Sequence, residues 1–61
     1  MAQDWLAEQN AWRAKARAAG PGYRVWRWED VDTERAQVTF YFRLLGPGEE
    51  APDVWGAVIE P

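Results

Sequence analysis

The chain changes its apolar period at a single point. Before Gly20-Pro21-Gly22 the apolar residues recur at helical spacing, and after it they alternate as strand residues do. Any fold must therefore join one N-terminal helix to β-structure at that turn. Residues 3–19 (QDWLAEQNAWRAKARAA) predict the helix: strong helix formers dominate, and β-branched residues, Gly and Pro are absent. Asp4 and Glu8 near its start and Arg13, Lys15 and Arg17 near its finish suit the helix dipole. At about 100° per residue, Trp5, Trp12, Ala16 and Ala19 share one face, with Gln9 in its middle and Leu6 at its edge. Ala7, Ala11, Ala14 and Ala18 form a second, nearly opposite stripe.

Three strands are expected after the turn. Residues 23–30 (YRVWRWED) alternate, with Trp26 and Trp28 on one side and Tyr23, Val25 and Arg27 on the other. Residues 36–45 (AQVTFYFRLL) place Ala36, Val38, Phe40, Phe42 and Leu44 on one face and Gln37, Thr39, Tyr41 and Arg43 on the other, the pattern of a half-buried antiparallel strand. Residues 31–35 are read as the hairpin loop between them. With Trp26 and Trp28 taken as core, they must lie beside Val38, Phe40 and Phe42, which requires a loop of odd length. Residues 46–53 (GPGEEAPD) form a loop, and residues 54–59 a third strand paired with the second; Gly56 marks a bulge or a close backbone approach. The expected fold is α+β: one α-β-β-β domain over residues 1–61, its helix packed on a three-stranded antiparallel meander.

Composition excludes much chemistry. The chain has no Cys, His or Ser. There is then no disulfide framework, no thiolate or Ser-His nucleophile, and no imidazole ligand or proton shuttle. Ten acidic against seven basic residues give a net charge of −3, which disfavours nucleic acid and anionic membranes. With no membrane-span-length apolar run and no signal-peptide pattern, a cytoplasmic protein is expected. No cofactor is implied, and no metal site, since the acids match no calcium-loop spacing. A carboxylate-pair enzyme would need a water-excluding pocket that one helix on one small sheet has little room to build.

Two surfaces remain as candidates. Glu29, Asp30, Asp32 and Glu34 crowd the first hairpin end, with Asp4 nearby, and Glu49, Glu50 and Asp53 crowd the opposite end. Such loops either occupy a partner's basic groove or simply keep a Trp-rich chain dispersed and its strand edges unpaired. Five Trp (Trp5, Trp12, Trp26, Trp28, Trp55) are too many for so small a helix–sheet interface. Trp12, Trp26 and Trp28 are assigned to the core, and Trp5 and Trp55 to its edge, where Trp serves as an interface anchor. The preferred function is a non-enzymatic, acidic protein-interaction module, an inhibitor or accessory protein of the kind encoded by phages and mobile elements, acting by occlusion through Trp5, Trp55, Glu29, Asp30, Asp32, Glu34, Glu49 and Glu50. The alternative is a single-stranded nucleic-acid binder using Arg27, Tyr41 and Arg43 on an open sheet face. A homodimer or higher oligomer is expected, because the Ala stripe and a sheet face bearing Tyr23, Val25 and Tyr41 otherwise go unused.

Overall fold

The computed structural model describes residues 4–53 and 55–61. Helix α1 (Asp4–Ala19) is followed by strands β1 (Arg24–Asp32), β2 (Gln37–Leu45) and β3 (Gly56–Ile59). The helix packs on one face of the antiparallel sheet, the expected α+β arrangement. The expected first positions of the helix and of the third strand, Gln3 and Val54, lie outside the described residues. The sheet order is β2-β1-β3, so the meander is corrected: β3 pairs with β1, not with β2.

The hairpin register sets the faces. Asp32 pairs with Gln37, which extends β1 through Val31 and Asp32 and leaves a four-residue loop, 33–36. The Asp32 carboxylate builds this loop by accepting the N–H groups of Glu34 (3.1 Å) and Arg35 (3.3 Å), and Ala36 closes it at φ 54°. An even loop reverses the side expected for the two tryptophans. Trp26 pairs with Arg43 and Trp28 with Tyr41, so both face away from the helix, while Val25, Arg27, Phe40, Phe42 and Leu44 face it.

The helix-side core is built on Ala16, Val25 and Phe42, with Trp12, Tyr23, Phe40, Leu44 and Ile59 packed against them. The helix face read from the sequence holds at Trp5, Trp12 and Ala16, while Ala19, expected on it too, is exposed at the helix end. Trp12 stacks on Phe42 at 6.5 Å, Trp5 tilts over Phe40 at 4.8 Å, and Ala16 is fully buried. Gln9, the polar residue in that face, anchors a charge, since its Oε1 accepts the Arg27 guanidinium at 2.7 Å. Arg27 also lies 5.6 Å from the Trp5 ring and 5.2 Å from the Phe40 ring, so its charge enters the interface with an acceptor and two aromatic faces.

A second layer covers the opposite face. Since β3 lies on the far side of β1, loop 46–55 must travel from the end of β2 back across the sheet to the level of Trp28, where Gly56 pairs. Trp26 is only 4% exposed on this side, and Leu45, on the same face by register, is fully buried. Two Gly-Pro-Gly turns meet at the loop's origin. Gly22, at φ 87°, faces Pro47, and a Cβ there would come within 3.1 Å of the proline ring.

The molecule is thin and extended. Its extents are 40 × 25 × 11 Å and its radius of gyration is 12.6 Å, against about 10.5 Å for a compact chain of this length. Val31 and Val38, paired near the hairpin tip, are each 53% exposed.

Candidate functional site

The loop-covered face carries the candidate site, and a clasp of charged groups fixes the loop there. Arg24 and Arg43 share that face with Trp26. Arg24 Nη2 donates to the carbonyls of Gly46 (3.5 Å) and Glu49, and Arg43 Nη2 donates to Glu49 Oε2 at 3.1 Å. Glu49 Oε1 accepts the Gly46 N–H at 2.8 Å, and a Glu49 N–H to Gly46 carbonyl bond of 3.0 Å closes the turn. The Gly46 N–H, followed by Arg43, holds the Glu49 carboxyl below its ordinary value.

Beyond the clasp lies an aromatic strip. Trp28 and Tyr41, opposite each other in the register, stack at 5.6 Å with 24° between ring planes. Tyr41 is 44% exposed and Trp55, at the end of the crossing loop, 80%. The loop positions Trp55 through Asp53, whose Oδ1 accepts the Trp55 N–H at 2.7 Å. A groove of about 320 Å³ runs between Trp28 and Trp55, lined also by Trp26, Glu29, Asp53, Arg43 and Pro52. A second depression of about 260 Å³ lies on the other side of Trp28 and Trp55, toward Arg27, Phe40 and Ala57.

The structure divides the residues predicted for the interaction. Trp55 is fully presented, whereas Trp5 is half-buried against Phe40. Glu29 and Asp30 are exposed on the stretch of β1 past its pairing with β3, and Asp53 joins Glu29 at the groove instead of staying with Glu49. Asp32 serves the hairpin turn and pairs with Arg35 at 3.7 Å, and Glu49 serves the clasp. Glu34 and Glu50 are exposed outside the groove lining.

The predicted Arg27–Tyr41–Arg43 face does not assemble. Tyr41 and Arg43 share the loop-side face, but Arg27 points to the helix and is held by Gln9. Val25 and Tyr23, expected on an unused face, belong to the helix-side core. Trp28, assigned to the core from its alternation, is the site residue that alternation misplaces; an even hairpin loop is the signal that exposes it.

Among the described residues no group of three or more Asp or Glu is placed to hold a metal ion, and no helix is long and apolar enough to cross a membrane. The chain matches no protein-family model, no curated protein and no solved structure at a significant level.

Proposed function

We propose that this chain is a non-enzymatic protein-interaction module whose contact face is the Trp28–Tyr41–Trp55 strip, rimmed by Glu29, Asp30 and Asp53. One observation carries the reading: the crossing loop, pinned by Arg24, Arg43 and Asp53, ends by holding an 80% exposed indole beside an exposed aromatic stack. Exposed Trp is costly to leave in water and is a preferred anchor of protein interfaces. The acidic rim and the net charge of −3 select a partner with a basic surface around an apolar cleft, which the module would occlude. The thin shape, the exposed Ala7, Ala11, Ala14 and Ala18 stripe and the exposed Val31–Val38 pair support self-association as a companion proposal.

Single-stranded nucleic acid is the weaker reading. The stacking surface suits it, but of the two cations it called on, Arg27 is in the helix interface and Arg43 is paired with Glu49.

The test places a photo-crosslinking amino acid at position 55, with a second version at Ala18 as control, in cells of the source organism. A discrete protein adduct formed from position 55, competed by unlabelled chain and lost on Tyr41→Ala, is the expected result. Equal labelling from position 18, or adducts with nucleic acid alone, would overturn it.

A further inference from the structure

We infer that the groove between Trp28 and Trp55 is a receptor for an arginine side chain of the partner protein, an inference that rests on the interaction face proposed above. Three indoles, Trp26, Trp28 and Trp55, supply aromatic surface; Asp53 stands at the same groove, and Glu29, which the register places on the helix side opposite Phe40, borders both this groove and the second depression at the open edge of β1. Among the described residues neither carboxylate takes part in an ion pair, and Asp53 spends only Oδ1 on the Trp55 N–H. Arg43 also lines the groove, but its charge is matched by Glu49 at 3.1 Å, so the lining keeps an excess of negative charge.

Indole faces attract cations, and carboxylates accept the in-plane N–H groups of a guanidinium. A planar, weakly hydrated guanidinium can use both at once. A lysine ammonium is a strongly hydrated point charge and loses more on leaving water for an aromatic cleft. The molecule already contains the same solution on its other face. There Arg27 lies beside the packed Trp5 and Phe40 rings, 5.6 and 5.2 Å from their centroids, and donates to the Gln9 carbonyl oxygen, so two aromatic rings and an oxygen acceptor hold one arginine of this sequence. The groove offers a similar set, with carboxylates in place of the amide and with its own Arg43 paired to Glu49.

The experiment titrates the full chain with a capped Gly-Arg-Gly peptide, following the five indole N–H resonances. The parallel arms use the citrulline peptide, which keeps the planar shape and loses the charge, and the lysine peptide. The Arg peptide should shift the Trp28 and Trp55 indoles, and the citrulline peptide should bind at least about tenfold more weakly, with lysine between them. Trp55→Ala, at a position too exposed to support the fold, should abolish the shifts, and Glu29→Gln should weaken binding several-fold. Citrulline binding equal to arginine, or shifts that survive Trp55→Ala, would overturn the arginine receptor. An adduct at position 55 together with no response to the Arg peptide would overturn the receptor while leaving the interaction face standing. A second copy is the competing occupant, through an exposed arginine such as Arg35, which is 77% exposed in its side chain. A dimer in sedimentation that Arg35→Ala dissolves would overturn the partner-protein form.

Discussion

The six-membered ring of Trp26 fills the space beside Gly56 that a side chain at position 56 would need. A Cβ built there lies 2.6 and 2.8 Å from two ring carbons and also collides with the Arg27 carbonyl. The ring and the strand backbone are thus closed against each other where the crossing loop becomes β3. Gly56→Ala should therefore destabilise by about 1–3 kcal/mol through overpacking, read as a lowered urea midpoint. An unchanged midpoint would mean that β3 does not close on Trp26.

The two neighbouring tryptophans should differ in their energetic weight. Trp26 is 4% exposed and Trp28 only half-buried, so Trp26→Ala should cost about 3–5 kcal/mol and Trp28→Ala roughly 1–2. With a total stability of about 3–9 kcal/mol for a chain of this length, the first change removes a third of it or more, enough to unfold the chain at the lower end of that range, and the second leaves the fold standing. Circular dichroism of both variants measures this, and the opposite ranking would put Trp28 in the core.

This difference marks where the sequence was legible and where it was not. The helix and the three strand segments follow from local pattern: the Ala-rich run before Gly20, the alternation around Phe40 and Phe42, and the loop residues between Gly46 and Asp53. The faces do not, because they depend on the parity of one loop. Alternation says that Trp26 and Trp28 share a side and that Phe40 and Phe42 share a side, but not that these are opposite sides. That choice rests on Asp32 capping a four-residue turn. Once it is made, two aromatic faces need two covers, and the helix supplies only one. Strand order was not legible either: loop 46–55 is long enough to cross the sheet as well as to turn back, and the crossing goes with burial of Trp26 and Leu45 on that face.

Ala36 sits at φ 54°, a left-handed conformation that costs an L-residue about 1 kcal/mol or more. Ala36→Gly should stabilise the hairpin by about 0.5–1 kcal/mol, the relief being partly offset by the greater freedom of glycine in the unfolded chain. Thermal unfolding checks it, and a lowered midpoint would contradict the turn geometry.

Acid should loosen the clasp, but only below the usual carboxylate range. The Gly46 N–H and Arg43 hold the Glu49 carboxyl below its ordinary value of 4.5. A carboxyl lowered in the folded state stabilises above its unfolded value and loses that contribution as pH falls through the folded one. Wild type should therefore exceed Glu49→Gln in stability at pH 7, and the two should converge once Glu49 is protonated in both states. A difference equal at pH 3 and pH 7 would show that the ionised clasp contributes nothing.

The central claim is that the sheet is covered on both faces, by the helix and by the crossing loop, leaving Trp28, Tyr41 and Trp55 as the open strip. The most direct test measures the relaxation that an inert gadolinium chelate in the solvent imposes on the five indole N–H protons. Trp55 should be broadened most and Trp26 least, with Trp28 between them. A protected Trp55 beside an exposed Trp26 would contradict the account.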